Sequence, residues 1–318
     1  MPFSRSSKRE RVRTMTELRA ARVLVPCSTS NFGSGYDTIG LALDRYLDAS
    51  FEPDDSGSLV LDRQGTLARI DPAEPDLVAT ILERELAKHQ VAASGTLRLH
   101  SQVPVARGLG SSASASLAGF ALGAAALGLE RDDDEAFAGA VRLEGHADNV
   151  APCLFGGLRA VVTTLEGPVV MGLSLSEDVG FAYAAPAARI STEEARRQLP
   201  RQLPHAVAAS TLGRVVALVR GLAEANPELI RIGVADEIHT PYRLPLIPGV
   251  MGAISAGVEA GAWAVTVSGA GSGVIAMCEP DHAEAVAAAM HEVFDAGRHD
   301  PECVGFALRP DFAGLRRL

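Results

Sequence analysis

At 318 residues the chain has room for two domains or one very large one. It is 47% apolar and 21% charged, a balance too apolar for a disordered chain. Lys plus Arg total 29 against 39 for Asp plus Glu, a net charge of −10 that argues against a nucleic-acid partner. Any phosphate it binds must be held locally.

Lys8 and Lys88 are the only lysines, and neither adjoins a glycine-rich loop. A Walker A loop and a protein-kinase lysine are therefore both missing. Cys27, Cys153, Cys278 and Cys303 are scattered and read as reduced, buried thiols of a cytoplasmic protein. Residues 1–21 carry Arg5, Lys8, Arg9, Arg11, Arg13 and Arg19 with several serines; Glu10 and Glu17 argue against a transit peptide, and a disordered extension is expected.

In chain order, 23–25 reads as a strand stopped by Pro26, and 28–35 as a loop. Segments 59–61 and 67–70 read as short strands, 75–90 as an amphipathic helix and 96–100 as a strand. The apolar stretch 113–129 is rich in Ser, Gly and Ala, which favours a buried central helix over a membrane span. A second helix covers 134–144, with acids in its first turn. Strands are expected at 158–165, 181–185, 264–267, 274–278 and 304–308. Helices are expected at 192–198, capped by Ser191, and at 207–225, 228–237 and 282–296. The character changes near 155–175, which divides the chain into domains at 22–165 and 166–318.

The run from Pro104 to Ser116 carries the strongest chemical signal. Gly108 and Gly110 let the backbone turn tightly, and Ser111 and Ser112 open the small-residue helix, where free N–H groups attract an anion. A glycine-serine cap with no ligand is the competing reading. Segment 104–116 resembles the phosphate loop of the GHMP small-molecule kinases. Segment 25–37 (VPCSTSNFGSGYD), segment 144–157 (EGHADNVAPCLFGG) and segment 268–273 (SGAGSG) are similar to the homoserine kinase family among them. The departures are Cys27, Ser34, Ala209 and the pair Ser272-Gly273; none removes a charged group.

The resemblance implies an α+β fold of two domains, the first ribosomal-S5-domain-2-like and the second ferredoxin-like, with the cleft between them. It implies ATP-dependent phosphorylation of the L-homoserine side-chain hydroxyl, a step toward threonine, with Mg2+ on Ser112 and Glu144. Pro104, Arg107, Gly108, Leu109, Gly110, Ser111, Ser112 and Ala113 would form the nucleotide loop. Asp37 and Asp148 would face the substrate ammonium, Arg196 and Arg243 its carboxylate, and Asn149 the attacking hydroxyl, with Asn31 also on the substrate side. A general base stays unassigned. Another GHMP kinase with a different alcohol, or a non-catalytic nucleotide binder, is the alternative. No nucleic acid or membrane partner is expected, and a homodimer is compatible with the resemblance.

Overall fold

The computed structural model describes residues 17–318; the expected extension therefore lies largely outside the described residues. The first unit contains β1 (Ala21–Asn31), β2 (Gly35–Pro53), β3 (Leu59–Gly65), α1 (Leu77–Lys88) and β4 (Gly95–Ser101). It continues through α2 (Ser111–Ala126), α3 (Asp133–Glu144), α4 (Val150–Phe155), β5 (Leu158–Thr164) and β6 (Gly167–Gly172). The second contains β7 (Gly180–Ala185), α5 (Thr192–Arg197), α6 (His205–Glu224), α7 (Pro227–Val234), α8 (Thr240–Arg243) and α9 (Val250–Glu259). Then come β8 (Ala264–Val267), β9 (Val274–Cys278), α10 (Ala283–Asp295), β10 (Val304–Leu308) and β11 (Arg316–Arg317).

Two sheets organise the molecule. The long β2 serves the first sheet twice: Leu47 to Pro53 pair with β4, and Ile39 to Leu41 pair with β5. The second sheet is antiparallel in the order β10-β7-β9-β8. With helices between β7 and β8 and between β9 and β10, this is the βαββαβ arrangement of a ferredoxin-like fold.

α2 runs through the core of the first unit because its residues are small. A Cβ on Gly119 would lie 2.6 Å from Ile81 Cβ, so the glycine sets how closely α1 approaches. Val78, Ile81, Leu82 and Leu86 of α1 and Leu117 and Leu122 of α2 are buried there. Each such side chain contributes roughly 1.5–3 kcal/mol on burial. A second core fills the space between the two sheets, where Phe32, Ile39, Leu41 and Leu43 meet Phe181, Tyr183, Ile275 and Met277.

Several expectations are corrected. Pro26 does not stop β1; it sits where the β1–β2 register shifts, an irregularity that tolerates a missing N–H. Residues 66–69 form a 3-10 turn rather than a strand, entered through Gly65 at a φ of 66°. A boundary at residue 165 falls inside the β5–β6 hairpin: the first sheet runs on to Gly172 and takes back the chain end as β11 on β1. α6, by length and composition, is long and apolar enough to cross a bilayer; Leu218 and Leu222 anchor it to the core between the sheets.

Candidate active site

The phosphate loop enters α2 through Gly110, which adopts a φ of 61°. No side chain caps the helix, so its first N–H groups remain open to an anion. Leu109 and Ala113 are fully buried and can offer only backbone. A Cβ on Gly110 would stand 2.3 Å from Ser28 Oγ and 3.0 Å from Asn149 Oδ1, so the protein itself requires glycine here. Arg107 departs from the expected role. It pairs with Glu302 at 2.8 Å and donates to Ala187 O at 3.1 Å, because a guanidinium only 4% exposed needs acceptors close by. It ties the loop to the second unit.

Beside Ser111 and Ser112 opens a cavity of about 200 Å³ with Leu67, Ile70, Val103 and Val105 on its walls. Across the loop, Ser112 Oγ donates to Glu144 Oε1 at 2.6 Å, and Ser116 Oγ reaches the same oxygen at 3.2 Å. Glu144 is the last residue of α3, and Gly145 turns the chain away in the left-handed conformation.

The chain then brings His146 Nδ1 to 2.7 Å from Asp148 Oδ1. Burial raises the Asp148 carboxyl, but the hydrogen bond and charge of His146 outweigh it and hold its pKa below the ordinary range. Burial likewise lowers His146, and Asp148 more than reverses this, leaving it raised. Asn149 is fixed at both ends of its amide: Nδ2 donates to Ser30 Oγ at 2.9 Å, and Oδ1 accepts from Ser28 Oγ at 2.9 Å.

Asn31, the last residue of β1, and Asp37, near the start of β2, both adopt positive φ, 76° and 51°. Asn31 Oδ1 accepts from the Asp37 N–H at 2.9 Å, and its Nδ2 donates to Gly269 O at 2.8 Å. Asn31 thus braces the turn against the second unit. Asp37 forms a two-pronged pair with Arg196 of α5, at 2.9 and 2.8 Å. Arg196 Nη1 also donates to the Tyr36 hydroxyl at 2.9 Å. The resemblance implies that Asp37 and Arg196 face opposite ends of a substrate; the fold joins them directly.

Arg243 is 2% exposed and, among the described residues, forms no ion pair. Its Nη1 donates to Gly269 O at 2.8 Å and to His239 Nδ1 at 3.3 Å. Its Nε is buried with no partner. Among the described residues both hydrogen bonds of this side chain leave through Nη1, so none is made by the Nε side, the side that can grip a carboxylate together with Nη2. The charges of Asp37, Asp148 and Arg196 all act on this guanidinium, so it belongs to the same neighbourhood.

Two family models match the chain: GHMP kinases N terminal domain over residues 76–157 and GHMP kinases C terminal over residues 215–296. A homoserine kinase of Microchaete diplosiphon is 36% identical over 279 residues, covering 87% of this chain and 91% of that protein. One from Synechococcus sp. (strain RCC307) is 37% identical over 285 residues, covering 85% and 88%. The crystal structure of homoserine kinase from Cytophaga hutchinsonii ATCC 33406 superposes with a TM-score of 0.81 at 26% identity, over 96% of this chain and 99% of that one. The chain belongs to the homoserine kinase family of the GHMP kinases.

In this GHMP kinase Ser112 is bonded to Glu144, Asp148 to His146 and Asp37 to Arg196, the charges of Asp37, Asp148 and Arg196 act on Arg243, and Arg107 pairs with Glu302 of the second unit. Sequence reading missed Tyr36, which lies between Arg196 and Arg243, and His239, whose ring stacks on Tyr36 at 5.0 Å. It also missed Ser28 and Ser30, which fix Asn149. The side-chain partners of Tyr36, Ser28 and Ser30 are more than a hundred positions away; His239 and Arg243, by contrast, are four apart, a spacing that local sequence does show.

Proposed function

We propose that this chain transfers the γ-phosphoryl group of ATP to the side-chain hydroxyl of L-homoserine, giving O-phospho-L-homoserine. The observation that carries the reading is Arg243. A buried guanidinium with an unpaired edge is costly unless an anion completes it. The homoserine carboxylate supplies that anion; the carboxylates of Asp37 and Asp148, whose charges act on the same guanidinium, are assigned to its ammonium. A sugar or polyol has neither charge.

ATP would place its phosphates on the open N–H groups of α2 and its base in the cavity walled by Leu67, Ile70, Val103 and Val105. Ser112 and Glu144 offer one hydroxyl and one carboxylate on a solvent-accessible pair, a donor set suited to Mg2+, which keeps waters and phosphate oxygens as its other ligands. When bound, the ion neutralises charge developing on the phosphoryl oxygens. Asn149 orients the hydroxyl. Asp148 is bonded to His146 and Asp37 to Arg196, and no general base is assigned. Positioning therefore supplies most of the rate, as a loose phosphoryl-transfer transition state allows.

The test is a panel of alcohols and amino acids with ATP and Mg2+, scored for ADP release. Homoserine should stand out. Turnover of a polyol with none of homoserine would overturn the reading.

A further inference from the structure

We propose that His239 is a positioning residue for the substrate carboxylate, a neutral imidazole that anchors one end of Arg243 and so aims the free edge of its guanidinium into the cleft. The inference deepens the function proposed above and rests on Arg243 meeting the homoserine carboxylate.

The hydrogen bonds leave one tautomer. His239 is fully buried, and its Nε2 lies 2.8 Å from Gly33 O. A carbonyl oxygen only accepts, so Nε2 carries the proton. Its Nδ1 lies 3.3 Å from Arg243 Nη1. A guanidinium only donates, so Nδ1 is bare. Nη1 is thereby occupied twice, by His239 and by Gly269 O at 2.8 Å. Two fixed acceptors on one terminal nitrogen set the plane of the guanidinium. On the opposite edge, Nε has no hydrogen-bond partner among the described residues.

The surroundings favour a neutral ring. Asp236 approaches Nε2 at 3.4 Å, but its carboxylate already accepts the N–H groups of Ile238, His239 and Thr240. The β1–β2 turn contributes Gly33 O, the Tyr36 ring and the charge of Asp37, and α8 contributes Arg243. Burial outweighs both carboxylates and pushes the imidazole down to about 4, helped by the Arg243 charge. A proton on Nδ1 would set one cation against another and remove the acceptor that steers Arg243.

Two substitutions in the full chain separate steering from mere filling. His239→Asn puts a carboxamide oxygen near the place of Nδ1, keeping an acceptor for Arg243 and losing the bond to Gly33. His239→Gln puts an amide N–H near the place of Nε2, keeping the bond to Gly33 and losing the acceptor. Both lose the stack on Tyr36, so a purely structural role predicts equal damage. Steering predicts that His239→Gln raises the homoserine KM about 10-fold with little change in the ATP KM, and that His239→Asn raises it distinctly less. Equal effects of the two variants, or equal shifts in both KM values, would overturn the proposal.

If either variant fails to fold, 15N NMR of the wild-type protein decides. A neutral Nε2–H ring persisting to about pH 5 is expected. An Nδ1–H tautomer, or ordinary titration, overturns it. Wild-type protein that phosphorylates no homoserine defeats the parent reading. Wild-type turnover with an unmoved KM in His239→Gln defeats this inference alone.

Discussion

Ser112 and Glu144 stand 32 positions apart in the chain and 2.6 Å apart in the fold. Their roles are open to direct test. Glu144→Gln keeps size and hydrogen bonding but removes the charge, so it should fold normally and lose at least about 100-fold in kcat. Wild-type turnover would end the metal assignment. Arg243→Ala should raise the homoserine KM by about 10- to 150-fold, the loss of one charge-assisted bond, with little change for ATP. Arg196→Ala should act in the same direction, and it also leaves Asp37 without its partner. Equal damage to both KM values would make that arginine structural. The neutral His239 has a separate signature in stability. Its folded pKa of about 4 lies below the ordinary 6.5, so unfolding takes up a proton between these values. The stability tied to it is full above about pH 6.5 and is lost as pH falls toward 4. Urea unfolding should show wild type losing about 2 kcal/mol more than His239→Asn between about pH 7 and 5. Parallel curves would mean a charged ring in the fold.

Among the elements, the phosphate loop is held from outside by Arg107 and Glu302. Glu302→Ala would leave a nearly buried guanidinium short of its carboxylate and should cost about 2 kcal/mol, with weaker ATP binding by calorimetry. An unchanged unfolding midpoint and ATP affinity would show that the tether is idle. The elements differ in how plainly the sequence announces them. α1 shows its period, and Ser191 caps α5 by accepting the Glu194 N–H, because both signals are local. β6 was missed because its burial is slight and nothing alternates. α9 was missed because Gly, Ala and Val dominate it and blur its period. The same contrast holds in the site. Ser112, Glu144, Asp37 and Arg196 are legible as charged or hydroxyl groups in recognisable segments. The Asp37–Arg196 pair, 159 positions apart, and the Tyr36–His239 stack are made only by tertiary folding.

Across the whole molecule, the chain passes between the two sheets twice: after Gly172 on the way out, and after Leu308 on the way back to β11. The core between them joins Phe32 and Leu41 to Phe181 and Met277. Large apolar contacts of this kind resist relative domain motion. The Ser268–Gly273 turn also lies on both partners, Ser268 Oγ donating to Gly108 O at 2.6 Å and Gly269 N–H to Ser30 O at 3.2 Å. Kinetic order follows from this. Where one ligand must first swing a domain shut to create the second site, substrates bind in compulsory sequence. Here a shared apolar core joins the two units, so on the proposed sites neither substrate has to wait for the other. Initial-rate and product-inhibition patterns should be those of random addition, and homoserine should bind with nucleotide absent. A strict requirement for ATP first, seen as no homoserine heat in calorimetry until nucleotide is added, would show that the shared core yields after all.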